Sequence, residues 1–200
     1  MVTEYAVLAA GSAVRMVGEN KLSQSFNGST VIGTVINNLQ AAGVDQLWLV
    51  YGDRWGLDGF NLPSFVHALR NPNARQGMGS SIALVVNNLS PTTDHLLLAL
   101  GDMPLVRAET TQALISHSAQ GDAHVCDANI WAPTYGGKRG HPVIFDKCWF
   151  KALANLTGDQ GGAILFDDER AKVSYLEVDD PGVLQDIDTP EDLVKLSAGS

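Results

Sequence analysis

Three short runs that are almost wholly apolar, Tyr5–Ala10, Gln46–Tyr51 and His95–Leu100, do most to limit the fold. Each is closed by glycine or turn residues, which reads as a strand buried in a sheet. Amphipathic stretches lie between them. In Thr30–Ala42 the residues Val31, Val35, Leu39 and Ala42 recur at helical spacing, and Ser81–Asn88 and Glu109–Ser118 are further helix candidates. A strand at Val143–Phe145, a helix near Lys147–Leu156, a strand at Val173–Val178 and a last helix from Pro190 complete the series. This alternation predicts an α/β fold, a mainly parallel twisted sheet with helices on both faces. There is no repeat, low-complexity tract or linker, so the 200 residues are expected to form a single domain, 1–200.

In open α/β sheets ligands sit beyond the carboxyl ends of the strands, so the residues just past each strand matter most. Tyr5–Ala10 leads into Gly11-Ser12-Ala13-Val14-Arg15-Met16, with Gly18 and Lys21 after it. Small residues there let backbone N–H groups approach an anion, while Arg15 offers a planar fork for phosphate and Lys21 a mobile point charge. The plain alternative is a flexible glycine turn with two solvated cations. The loop is neither a P-loop nor G-x-G-x-x-G. His95–Leu100 leads into Gly101-Asp102-Met103-Pro104. Asp102 is placed to meet a metal–triphosphate, and Mg²⁺ commonly takes one or two carboxylates; alternatively it caps the next helix. Asp186-Ile187-Asp188-Thr189-Pro190-Glu191-Asp192-Leu193 is a good helix start in its own right, and one of its acids is a candidate second metal ligand.

Two further segments carry candidate residues. Asn71–Ile82 is a small-residue loop entering a helix; Ser80 or Ser81 would contact an anion or base edge, or serve only as an N-cap. Gly140-His141-Pro142-Val143 sets a histidine at a strand entrance, with no Ser-His-Asp or Cys-His order to make it a base for a nucleophile.

The formal charge of −9 argues against a non-specific nucleic-acid binder, although a local cluster of cations and N–H groups can still hold a nucleotide. Two well-separated cysteines, Cys126 and Cys148, make neither a disulfide framework nor a zinc site and fit a reducing compartment. No apolar run nears the roughly 20 residues needed to span a bilayer, and the N-terminus lacks the layout of a secretory signal. The expectation is a cytoplasmic protein with neither membrane nor nucleic acid as partner.

Taken in order, Leu8-Ala9-Ala10-Gly11 with Arg15-Met16, Lys21, Asn71-Pro72 with Gly77-Met78-Gly79-Ser80-Ser81, Leu100–Pro104, Gly140–Phe145, Gly158-Asp159-Gln160-Gly161-Gly162 and Asp186–Leu193 form a far more specific series than any one of them. The series, roughly Tyr5 to Leu196, resembles the MobA-like NTP transferases, and within them the molybdenum cofactor cytidylyltransferases and their xanthine-dehydrogenase-maturation relatives. The resemblance implies a three-layer, Rossmann-like fold of glycosyltransferase-A type. It implies Mg²⁺-dependent transfer of CMP from CTP to the phosphate of molybdopterin, with release of pyrophosphate. Ala9, Ala10 and Gly11 would line base and ribose, Arg15 and Lys21 would hold the triphosphate, and Gly79, Ser80 and Ser81 would complete the nucleotide side. Asp102 would be the principal Mg²⁺ ligand and Asp188 the second, while His141 and the Asp159 loop would face the acceptor. Transient contact with a molybdoenzyme or its maturation factor is also implied. Val17, which lengthens the Arg15–Lys21 interval, and Ser23-Gln24-Ser25, where the family tends to carry leucine and proline, depart from the pattern. The alternatives are a GTP-using guanylyltransferase, a sugar- or polyol-phosphate nucleotidyltransferase on the same fold, and a non-catalytic nucleotide-binding regulator.

Overall fold

The architecture, from a computed structural model that describes residues 1–11, 20–53, 61–120, 129–159 and 161–197, is built on alternating strands and helices. In chain order these are β1 (Thr3–Leu8), β2 (Ser25–Phe26), β3 (Ser29–Thr30), α1 (Val31–Ala41), β4 (Leu47–Gly52), β5 (Val66–Asn71), α2 (Met78–Val86) and β6 (His95–Leu100). Then come α3 (Ala108–Ala119), β7 (Ile130–Tyr135), β8 (Lys138–Arg139), β9 (Val143–Asp146), α4 (Phe150–Leu153), β10 (Val173–Glu177) and α5 (Pro190–Ser197). The main sheet runs β10-β7-β9-β6-β1-β4-β5, with β8 added to β7. β5, β4, β1 and β6 are mutually parallel, as are β7 and β10; β9 runs antiparallel between β6 and β7. The sheet is therefore mixed but mainly parallel.

Side-chain alternation along the central strands divides the core in two. Val7 and Ala9 at the end of β1, with Leu97 and Ala99 of β6, face one side and pack with Val31, Val35 and Leu39 of α1 and Leu114 of α3. Ala6, Leu8, Leu96 and Leu98 face the other, with Ile82 and Val85 of α2 and Leu153 of α4. Strands buried on both faces read as continuous apolar runs, which is why β1, β4 and β6 stand out in the sequence. Among the described residues no helix is long and apolar enough to cross a membrane.

Other elements carry weaker signals. β5 is an edge strand on which only Val66 and Asn71 are buried, so His67 and Arg70 hide its character. β7 contains Pro133, which normally argues against a strand. Pro133 lies between the pairing to β9, which ends at Trp131–Ile144, and the pairing to β8, which starts at Thr134–Arg139. Its missing N–H therefore interrupts neither ladder. α2 begins at Met78 rather than at Ser81, because Gly77, at φ +99°, turns the chain into the helix. The segment from Lys147 starts as a 3₁₀ turn, with the Asp146 carboxylate accepting from Cys148 N, before α4 proper.

Leu97 has no exposed surface and sits on β6 between β1 and β9. Leu97→Ala should lower unfolding stability by about 2–5 kcal/mol. Urea denaturation measures it; a loss below about 1 kcal/mol would mean that this layer is not packed as described.

Candidate nucleotide and metal site

β6 ends at Leu100 and the chain turns at Gly101, whose N–H donates to Leu8 O at 3.0 Å. A Cβ at Gly101 would lie 3.1 Å from Ile32 Cδ1 and 3.3 Å from Ala9 Cβ, so glycine lets the ends of β1 and β6 close up. Asp102 comes directly after. A second stretch, Asp180–Asp188, is strapped against it. The buried Asp180 carboxylate accepts from Arg107 N at 2.9 Å and Thr110 Oγ1 at 2.7 Å, at the start of α3. Gly182 fits so tightly that a Cβ would sit 2.1 Å from Leu105 O. His141 N donates to Val183 O at 2.9 Å, and Ile187 N to Asp102 O at 2.8 Å. Ile187 is fully buried, so its neighbours Asp186 and Asp188 are directed away from the core. Thr189 and Asp192 then form a reciprocal cap: Asp192 Oδ2 accepts from Thr189 N at 2.9 Å, and Thr189 Oγ1 accepts from Asp192 N at 3.1 Å. The acid run thus divides its work, with Asp192 opening α5 and Asp188 standing beside Asp102.

Lys21 completes the cluster. It lies in a single 3₁₀ turn, Lys21–Ser23, capped by the Asn20 carboxamide and anchored by buried Leu22. Its Nζ donates to Asp102 Oδ2 at 2.7 Å and to Asp188 Oδ1 at 2.8 Å. The lysine side chain is only 12% exposed, against 24% and 43% for the two aspartates. Burial alone would pull the Lys21 pKa down; the charges and hydrogen bonds of Asp102 and then Asp188 outweigh it and hold the ammonium above its ordinary value. Partial burial and the nearby charges of Asp188 and Asp102 raise Asp186 above the usual carboxylate range.

Lys21, Asp102 and Asp188 line a cavity of about 520 Å³, a size suited to a nucleotide. Ala9, Ala10 and Gly11 line it where β1 ends, and Gly77, Ser81 and Asp159 line it elsewhere. The wall containing Gly77 depends on a close approach of two loops. A Cβ at Gly77 would meet Gly158 C at 2.3 Å and Asp159 Oδ1 at 2.5 Å, and Gly79 N donates to Gly158 O at 2.9 Å. Asn71, almost fully buried, holds this turn from within: its Nδ2 donates to Ser80 Oγ and Ser81 Oγ, each at 2.9 Å, and its Oδ1 accepts from Asn73 N.

Residues 5–173 match the MobA-like NTP transferase domain. The chain belongs to that family. Two relatives of this family member are the nicotine blue oxidoreductase of Paenarthrobacter nicotinovorans, 25% identical over 95% of this chain and 94% of its own, and the purine catabolism protein PucB of Bacillus subtilis, 25% identical over 92% and 91%. Among solved structures, Rv0371c of Mycobacterium tuberculosis is 27% identical, with a TM-score of 0.85 over 100% of this chain and 99% of its own. A second Rv0371c structure, a complex with manganese, superimposes with a TM-score of 0.77. More distant nucleotidyltransferase structures share the α/β fold with its mainly parallel mixed sheet, a likeness of fold alone.

Within this member of the family, the candidate residues are distributed unevenly. Lys21, Asp102 and Asp188 come together; Ala9, Ala10, Gly11, Ser81 and Asp159 line the same cavity. Gly79 and Ser80 do not line it. Gly79 is packed against the backbone of Leu156 and Thr157, and the Ser80 hydroxyl turns back to the carbonyls of Asn73 and Gly77. His141 lines a much smaller void with Met103 and Val106, behind the Asp102 turn. Arg15 and Gln160 lie outside the described residues, as does Cys126. Sequence reasoning did not single out Asn71, Gly77 or Asn20 as site residues. The Asn71-Pro72 turn was the available sign for the first; Asn20 carries no sign beyond preceding Lys21.

Burial, then the Arg139 charge, pushes His141 down to about 4, against an opposing pull from Asp102. The unfolded chain binds a proton below its ordinary value of 6.5, which the folded chain refuses until about 4. Stability should therefore fall as pH drops through that window, by about 2 kcal/mol at pH 5 from this residue. Urea unfolding of wild type and His141→Gln at pH 7, 6 and 5 isolates the contribution; identical slopes would remove His141 as its source.

Proposed function

We propose that this chain is a divalent-cation-dependent nucleotidyltransferase that moves a nucleoside monophosphate onto a phosphorylated acceptor, and specifically CMP from CTP onto the phosphate of molybdopterin. The observation that carries the reading is the convergence of Asp102, Asp188 and Lys21 in the lining of a nucleotide-sized cavity. Two carboxylate oxygens gathered about a single cation are a donor set that suits a hard divalent ion, and Asp102 and Asp188 would hold it. The manganese complex of Rv0371c supports a divalent ion in the family. Such an ion, when bound, neutralises charge on the α-phosphate and on the leaving pyrophosphate.

The remaining work falls to the chain. Ala9, Ala10 and Gly11 would seat base and ribose, with Gly79, Ser80 and Ser81 supporting the nucleotide side, Gly79 and Ser80 through the fold of the loop. Lys21 and Arg15 would hold the triphosphate oxygens, and Asp159 would border the acceptor, whereas His141, behind the Asp102 turn, would act on that side only through the packing of the turn. An acceptor phosphate oxygen attacks the α-phosphorus, the α–β bridging P–O bond breaks, and its electron pair leaves with pyrophosphate. The attacking oxygen is already anionic at neutral pH, so positioning and charge neutralisation suffice. The molybdopterin acceptor and a delivery contact with a molybdoenzyme or its maturation factor rest on the motif series.

A nucleotide panel with Mg²⁺ and purified molybdopterin, read by pyrophosphate release, tests the reaction. Asp102→Asn should abolish turnover with the fold intact, and Lys21→Ala and Arg15→Ala should each reduce kcat/KM by about 10²–10³. Near-wild-type turnover in Asp102→Asn would take this residue out of the mechanism.

Nucleotide choice is tested at Ala10. Ala10 lines the cavity, where a purine needs more room than a pyrimidine. CTP should be preferred over GTP by about tenfold or more, and Ala10→Gly should gain GTP use. Equal incorporation of labelled CTP and GTP in competition would overturn the cytidylyl assignment.

A further inference from the structure

Asp102 and Asp188 reach the same point from unrelated stretches, one after β6 and the other before α5, and Lys21 Nζ sits within 2.7 and 2.8 Å of their oxygens. Brought together by backbone contacts, two carboxylates repel unless a cation lies between them. Lys21 is that cation here. Its backbone is fixed by the Asn20 cap and buried Leu22, but its four-carbon stem can swing without moving either anchor. Ala9, Ala10 and Gly11 border the cavity into which the stem would turn.

We propose that Lys21 is a resident cation that holds the Asp102–Asp188 pair until a divalent ion displaces it, and that the released ammonium then pairs with the triphosphate. The inference rests on the divalent-ion reading of the site and adds an order to it. An ion lodged between the same two oxygens would press its charge against the ammonium, so the two cannot both stay. The displaced ammonium has lost both acidic partners and needs an anion, and the triphosphate supplies one. The ion alone therefore binds against the cost of stranding Lys21, whereas ion and triphosphate together give both the acid pair and the ammonium a partner of opposite charge. By reciprocity each raises the affinity for the other.

The test is Mn²⁺ binding without nucleotide, tracked by the loss of the free aqueous Mn²⁺ signal in electron paramagnetic resonance. Lys21→Met and Lys21→Gln should both bind Mn²⁺ about tenfold or more tightly than wild type, because removing the resident cation leaves an unneutralised acid pair. Lys21→Arg, which keeps the charge, should bind as weakly as wild type. Melting temperatures with and without Mn²⁺ serve as a fold check, and the ion should stabilise Lys21→Met more than wild type. Adding Asp102→Asn to Lys21→Met should abolish the gain. If Lys21→Met and Lys21→Gln bind no more tightly than wild type while Asp102→Asn weakens binding, the ion site stands and the displacement is wrong. If Asp102→Asn and Asp188→Asn leave Mn²⁺ binding unchanged in both backgrounds, the ion is held elsewhere and the divalent-ion reading falls with it.

Discussion

Two carboxylates held within reach of one ammonium are the constraint around which the functional end of this molecule is arranged. Their meeting is imposed by the backbone. The Ile187 N–H bond to the Asp102 carbonyl fixes the two stretches side by side, and Ile187 is locked in the core. Gly182 against Leu105, and the Asp180 carboxylate at the start of α3, hold the strap along its length. Packing and backbone hydrogen bonds thus supply the energy that keeps like charges together, and Lys21 relieves the remainder. A change at Gly182 or Asp180 would reach Asp188 without touching the cavity.

The part of the lining around Gly77 obeys another logic. There the geometry depends on the absence of side chains, with Gly77 and Gly79 lying against the 156–159 loop at distances that no Cβ allows. That contact couples the loop carrying Asp159 to the start of α2, where Ser81 lines the cavity. Asn71 ties the same turn together with three hydrogen bonds from one buried amide. On the proposed chemistry, nucleotide and acceptor sides are parts of one packed unit, so a distortion on either should be felt by both substrates.

What the sequence discloses divides along physical lines. β1, β4 and β6 were legible because a strand covered on both faces must be apolar throughout, and the glycine and aspartate after β6 then mark the functional edge. β5 was not, because an edge strand exposes most of its side chains, and β7 was obscured by a proline harmless only where two neighbouring strands change over. Asp188 and Asp192 looked alike in one acidic run; the cap with Thr189 claims Asp192, and the buried Ile187 sets Asp188 beside Asp102. Ser80 and Ser81 could not be separated by pattern, since the choice depends on which hydroxyl the Asn73 and Gly77 carbonyls take. The contact of Lys21 with both acids was equally hidden. Residues 81 and 167 positions apart in the chain meet it, and only the fold brings them there.

Net charge sets the remaining condition on the proposed reaction. A chain of formal charge −9 repels a free triphosphate that comes within roughly 8–10 Å, the distance beyond which physiological salt screens the repulsion. Among the described residues the cavity lining sets three carboxylates, Asp102, Asp159 and Asp188, against two cations, Lys21 and Arg75, and Lys21 is already engaged by two of those acids, so a bare triphosphate arriving there would meet an excess of negative charge. A triphosphate already carrying a divalent ion brings less negative charge and supplies the cation that the acid pair can take in exchange for Lys21. An acidic protein handling a polyanion is then no contradiction. The acids that discourage free nucleotide are the same acids that reward its metal complex, and the lysine between them makes the two outcomes differ.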